Sequence, residues 1–541
     1  MILSLVLSAV GVYGVEAPQQ LTRTTVDIPT ENGQKLVLRG WLPSITSSGA
    51  RDQKVVFLFA GYSATQVMMY PLMRVLTGLG YYVITADFRG HGESGGLYRP
   101  QVEQRLEDFD LIVSQAQLVF PGTWEWNNVT IVGHSMGGEA VTVIGAQSST
   151  VFTTVAVAPA NIGQHINATH PGNFLVVSGD NDQFFTPTSL LTQFQNAQPN
   201  AQIDTLYGSP LTQNARKITF VPGARHESEL IDAGVLSEIA TFIDFCYGFR
   251  GAEDKVAVNQ TLASGLIYGG VGTAVLCIVL LGLALAPRRS DKNEKLIPEV
   301  PIEQLDAVVA KSWIKWYLPG TLLGVVAFGL FVVITPAGFS STQYLLMGIS
   351  GFTALLSLVS VQHNRNPKAI GQGKAWLRAE LRQFTGSELG RGIALFVVTV
   401  FLLNFGLGQY YLSLFPWNLR AVYAIAMVPF FFFMYLFQQR WFSEFYIEKA
   451  RSWKKGLGVI ILLKFGLPLG LGLILLGMGN FTIVFLLLFY LIDLVGTILL
   501  IGVTAQKRSS HFIVVWFALS NAFVYLGYAV FMSFTGFGPG A

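Results

Sequence analysis

The sequence predicts an α/β domain with a mostly parallel sheet, followed by an all-α membrane domain of about eight transmembrane helices. Three observations predict it. Of the 541 residues, 51% are hydrophobic and only 12% charged, and the apolar excess is concentrated beyond residue 263. That charged share is about half of what a soluble protein carries. Residues 18–250 instead alternate short β-like runs with helical stretches. Finally, the polar joints between the long apolar runs alternate in basic content, as repeated bilayer crossing requires.

These observations divide the chain into four parts. Residues 1–17, "MILSLVLSAVGVYGVEA", are apolar and lack a basic leader. They read as an export signal, either cut near Gly14 or Ala17 or retained as an N-terminal anchor, with a buried first helix as the alternative. Either export form puts residues 18–250 outside the cytoplasm. Residues 251–263 are a short linker holding that domain near the membrane, and residues 264–541 form the multi-pass domain.

Within the α/β part, "RTTVDIPTENGQKLVLRGWLP" alternates around an Asn-Gly turn and reads as a hairpin. "KVVFLFAG" (54–61) is the continuous apolar run of a strand buried on both faces. A helix follows over about 66–79, then "YYVITADFRGHGESGG" supplies a strand and a glycine-rich turn. Residues 101–119 form a helix, and "NVTIVGHSMGG" gives strand, sharp turn and helix start. "TTVAVAPA", "NFLVVSGD" and "KITFVPGARH" are three more strands, each ending in a polar loop.

In the second half, eight segments reach the roughly 20 residues that span a bilayer: 264–286, 316–335, 342–361, 392–412, 419–437, 457–478, 480–504 and 511–533. "RRSDKNEK", "HNRNPKAIGQGKAWLRAELR", "QQRWFSEFYIEKARSWKK" and "AQKRSS" are basic joints, assigned to the cytoplasm. The intervening "PAGFSS", "SLFPWNLR" and Gly479-Asn480 carry only Arg420. Lys464 and Asp493 fall within adjacent antiparallel spans, as an ion pair fixing helix packing or as a relay. Asn404 and Gln409 read as interhelical hydrogen-bond partners.

The net charge of +3 is too small and too clustered for a nucleic-acid partner. The two cysteines, Cys246 and Cys277, read as small apolar packers rather than reactive thiols. No cysteine–histidine cluster has zinc spacing and no glycine loop fits a nucleotide, so neither metal nor cofactor is expected. The sequon at Asn128 falls within a predicted buried strand and implies no glycosylation.

The chemistry centres on "GHSMGG". The pattern G-x-S-x-G is cheap among 56 glycines, with about 0.4 chance matches expected. Its context between strand and helix is not cheap. Gly133 and Gly137 would permit the strained turn that exposes Ser135 beside a helix N-terminus. Such a serine needs a base held by a carboxylate. His226 follows one downstream strand and Asp182 another, with Asp180 as the alternative acid. His91 and His134 read as structural, and His165 and His170 as solvated loop residues.

Five segments in order, "VVFLFAG", "ADFRGHGESGG", "GHSMGG", "VVSGDNDQFFTP" and "VPGARHE", make residues 35–247 resemble the α/β-hydrolase superfamily. The branch they resemble is the serine aminopeptidase-like and monoacylglycerol lipase-like one. The resemblance implies Ser135 as nucleophile, Asp182 as acid and His226 as general base. It implies an oxyanion hole from the backbone N–H groups of Tyr62 and Met136. The family's His-Gly after the third strand is here Ala60-Gly61. The link between Pro159 and Asn173 is too short for the helical cap of many relatives, so the pocket is minimally lidded. An acyl or lipid ester is the expected substrate. Hydrolysis of short peptides is the alternative, as is a transporter or sensor whose hydrolase-like domain binds ligand.

Overall fold

The computed structural model describes residues 20–29, 33–43, 53–61, 64–96, 101–120, 124–182, 184–226, 228–250, 252, 269–270, 272–287, 381–382, 384–406, 428–429, 431–432, 435–436, 492, 494–503, 506 and 508–529. The chain divides into two compact units, one mainly Met1–Gly272 and the other mainly Thr273–Leu402 and Leu414–Ala529.

The first unit holds strands β1 (Gln20–Asp27), β2 (Lys35–Trp41), β3 (Val55–Phe59), β4 (Tyr82–Asp87), β5 (Val129–His134), β6 (Val151–Val157), β7 (Asn173–Gly179) and β8 (Arg216–Val221). They form one eight-stranded sheet in the order β1-β2-β4-β3-β5-β6-β7-β8. The β1–β2 hairpin and the β2–β4 pair are antiparallel, and every later pair is parallel. Parallel neighbours need crossovers, and helices supply most of them. These are α1 (Tyr70–Leu79, entered through a 3-10 turn at Gln66–Met69), α2 (Val102–Val119), α3 (Met136–Gln147) and α4 (Pro187–Phe194), with α5 (Ala233–Tyr247) following the last strand.

Side chains of a strand alternate between its faces, and β3 shows what that does here. Val56 and Leu58 face a core shared with Met73 and Leu76 of α1 and Leu236, Ile239 and Ile243 of α5. Val55, Phe57 and Phe59 face the opposite core, with Phe109 and Ile112 of α2 and Val141 and Ile144 of α3. On that same second face, Leu190 and Phe194 of α4 cover Phe174, Val176 and Ile218. All five β3 residues are fully buried. Both faces being covered explains why "VVFLF" is a continuous apolar run and not an alternating one.

One expectation changes in detail. Asn128 is exposed, in a bend just before β5, and not within the buried strand. The segment from Ala158 to Gly172 holds neither helix nor strand, so no helical cap arises there. Cys246 is buried and Cys277 half-buried, both as free thiols.

The second unit contributes described helices at residues 272–285 and at Gly386–Gly406 and His511–Ala529. The Phe512 N–H donates to buried Glu388 (3.0 Å), and the Trp516 indole donates to Thr399 Oγ1 (2.8 Å). Arg508 donates to the Leu283 and Ala286 carbonyls (both 3.1 Å), capping the end of the 272–285 helix. Among the described residues no helix is long and apolar enough to cross a membrane. The expected spans 316–335, 342–361 and 457–478 lie outside the described residues, as do Lys464, Asp493, Gln409 and residues 1–17; the remaining spans are described only in part.

Candidate active site

β5 ends at His134 and α3 begins at Met136, leaving Ser135 alone to make the turn. Its backbone sits at φ 58° and ψ −118°, a conformation that costs a non-glycine residue about 1–3 kcal/mol. The surroundings hold it there. Its N–H donates to the Val157 carbonyl of β6 (2.8 Å), and its own carbonyl accepts from Glu139 (3.1 Å) and Ala160 (3.3 Å).

The flanking glycines are required by close approach. A Cβ on Gly133 would collide with the Gly137 carbonyl, and one on Gly137 would lie 2.5 Å from the Ala60 carbonyl oxygen. A Cβ on Gly61 would come within 2.9 Å of the Ser135 Cβ. The chain after β3 is thus pressed against the serine turn. Tyr62 lies outside the described residues. Met136 opens α3, so its N–H is among those a helix leaves unpaired internally, while its side chain is buried in the core.

The loops after β7 and β8 bring Asp182 and His226 together. His226 Nδ1 donates to Asp182 Oδ2 at 2.9 Å. Asp182 Oδ1 accepts from the Phe184 (2.7 Å) and Phe185 (3.0 Å) N–H groups, and Ser178 Oγ donates to Oδ2 (3.3 Å). Burial pushes the Asp182 carboxyl up, but His226 and the two backbone donors outweigh it and hold the group below the usual carboxylate range. Asp180 does a different job: its Oδ1 accepts from Gly223 N–H (2.7 Å) and so braces the turn after β8. The Phe184 and Phe185 rings meet the imidazole edge-on, with centroids at 5.0 and 5.3 Å, and shield it from water.

His134 and Glu229 complete the cluster. The His134 ring lies 4.7 Å from that of His226, and its Nε2 is 3.3 Å from Glu229 Oε2. Burial pushes His134 below the ordinary imidazole range, against the pull of Glu229. Sequence reasoning took His134 as structural and missed Glu229 altogether. The signal for it was an acidic residue one helical turn after His226, in the stretch "ESELI". Donor atoms of His134, His226 and Glu229 lie within 4.8 Å of one another. Of these groups, His226 Nδ1 is engaged by Asp182 and Glu229 Oε1 by the Gly179 N–H.

The glycine-rich "DFRGHGES" turn is held from below. Asp87 accepts from the Gln66 N–H (2.6 Å) and side-chain amide (2.9 Å) and from Glu93 N–H (3.1 Å). Arg89 is tied to Asp108, and His91 Nδ1 lies 3.3 Å from the Arg89 carbonyl, a structural placement. His165 is half-buried and 3.8 Å from Glu139, so it is less solvated than expected, whereas His170 is exposed.

A family model agrees with this architecture, and similar proteins are known. Residues 50–178, less than half the chain, match the family model described as serine aminopeptidase, S33. A monoacylglycerol lipase of Mycolicibacterium smegmatis is 26% identical over 146 residues, covering 27% of this chain and 49% of that protein. The chain thus spans about half the length of this curated relative. Similar solved structures include an esterase from Pyrococcus furiosus (16% identity, TM-score 0.32, 42% of this chain and 92% of the other). Another is a lidless α/β serine hydrolase from Xanthomonas campestris (16%, TM-score 0.30, 41% and 93%). By its sheet order, its helix-covered faces and its serine turn, the first unit has the α/β-hydrolase fold, and over residues 50–178 the chain is similar to the serine aminopeptidase S33 family.

Proposed function

We propose that the first unit is a serine hydrolase acting on carboxylic esters through an acyl-enzyme. One observation carries the reading: Ser135 is held in a strained strand-to-helix turn within the fold that also joins Asp182 to His226 at 2.9 Å. Asp182 fixes the Nδ1–H tautomer of His226, which leaves Nε2 to take the Ser135 proton as Oγ attacks the carbonyl. The backbone N–H groups of Met136 and Tyr62 receive the developing oxyanion. His226 then returns its proton to the leaving alkoxide. In the second half-reaction it activates water, which releases the acid and restores the serine.

Lipid or acyl esters are the favoured substrates. Similarity to a monoacylglycerol lipase supports this, as does the apolar composition of the second half. The alternation of basic and non-basic joints supports a membrane-tethered enzyme with this domain on the extracytoplasmic side. Turnover of a monoacylglycerol and of an aminoacyl amide should be compared on wild type and Ser135→Ala. Ester hydrolysis lost in the variant is expected, and a preference for the amide would replace esterase by peptidase. Labelling by a membrane-impermeant fluorophosphonate on intact cells tests the orientation, since labelling only after lysis would reverse it.

A further inference from the structure

Two carboxylates face the Nδ1 side of His226. Asp182 is at hydrogen-bond distance, and Glu229 Oε2 is 4.0 Å away. Glu229 is fully buried. Its Oε1 accepts from the Gly179 N–H at 2.6 Å and from Ser178 Oγ at 3.0 Å. Ser178 Oγ also lies 3.3 Å from Asp182 Oδ2, so its single proton is shared between the two carboxylates. Glu229 Oε2 is free of backbone donors and turned toward two imidazoles, those of His134 and His226. Burying a carboxylate is costly unless its surroundings demand charge there. The backbone N–H and the hydroxyl at Oε1 do not by themselves explain why the second oxygen points at the candidate base.

We propose that Glu229 is a positioning residue for His226, a second carboxylate that stabilises the imidazolium formed when Ser135 is deprotonated. The proposal rests on the serine-hydrolase reading above. Asp182 sets the tautomer through its hydrogen bond; Glu229 adds negative charge at 4.0 Å without bonding to the ring. His134, the other titratable group against His226 among the described residues, is buried, and that burial holds it below the ordinary imidazole range. Phe184 and Phe185 contribute no charge but exclude water, so the field of Glu229 at His226 is weakly screened.

The test is the pH profile of kcat/KM for ester hydrolysis by wild type and Glu229→Gln, each checked for folding by circular dichroism. The glutamine keeps an oxygen for Gly179 and Ser178 but removes the charge. An opposite charge at this range shifts a neighbouring titration by about one unit or more. The acid limb of the variant should therefore move to lower pH by about one unit, with KM little changed. If Glu229→Gln cannot be obtained folded, Glu229→Asp draws the charge back and should move the limb the same way by less. An active wild type whose acid limb stays put in these variants overturns the proposal, even where the plateau rate falls, because that pattern marks a structural role. A wild type that neither hydrolyses esters nor reacts with fluorophosphonate overturns the functional reading, and the proposal with it.

Discussion

Replacing Asp182 by asparagine tests the hydrogen-bond logic of the site through geometry. Asp182 Oδ1 accepts two backbone N–H groups, from Phe184 at 2.7 Å and Phe185 at 3.0 Å. In Asp182→Asn the amide oxygen must stay there, because an NH₂ group facing two N–H donors would leave all three unpaired. The amide nitrogen is therefore delivered to the Oδ2 position, 2.9 Å from His226 Nδ1. A donor there forces Nδ1 to become the acceptor, which moves the proton to Nε2 and leaves no base for Ser135. Loss of the correct tautomer costs on the order of 10⁴ in kcat, or roughly 5 kcal/mol of transition-state stabilisation. Folding should be nearly unchanged, since the backbone bonds persist. The assay is steady-state ester hydrolysis with KM measured alongside. A fall of less than about tenfold in kcat, from a variant that melts like wild type, would refute the reasoning.

Further outcomes follow from the same structure. Gly137→Ala places a Cβ 2.5 Å from the Ala60 carbonyl oxygen and 2.7 Å from that of Phe59, so the strand–helix contact must open; a loss of about 1–3 kcal/mol or more is expected in denaturant titration. The Cys246 thiol, pushed up to about 12 by burial, should resist alkylation at pH 8 until denaturant is added, as read by peptide mass mapping. Burial raises the Asp87 carboxyl to about 6 from its ordinary 3.8. Between those values the folded state keeps a proton that the unfolded chain has lost, so this group's contribution to stability falls as pH rises through that window. Relative to wild type, Asp87→Asn should therefore gain up to about 3 kcal/mol between pH 4 and 7 in chemical denaturation, and parallel curves would contradict the assignment.

The α/β unit was legible because its signals are local and redundant. "VVFLF" could bury both faces only inside a covered sheet, the Asn-Gly turn predicted the β1–β2 hairpin, and each polar loop marked a strand end. Ser135 stood out because glycine, serine and glycine fell where strand must become helix. Glu229 did not stand out. Its one sequence signal, an acidic residue one turn after His226, was faint, because its importance depends on the β7 and β8 loops meeting across the end of the sheet, a long-range contact. The sequence favoured Asp182 and kept Asp180 as the alternative; in the folded loops Asp180 bonds to Gly223 and Asp182 to His226. Asn128 shows the usual uncertainty at element ends, where a bend directly precedes a buried strand.

The central claim is that Ser135 is an activated nucleophile, and the most direct measurement is a fluorophosphonate reaction on the intact protein followed by mass mapping of the adduct. A single phosphonyl group on Ser135, formed by wild type and absent from Ser135→Ala, is the predicted result. Folded wild-type protein that takes up no label, or that carries it on another residue, would contradict it.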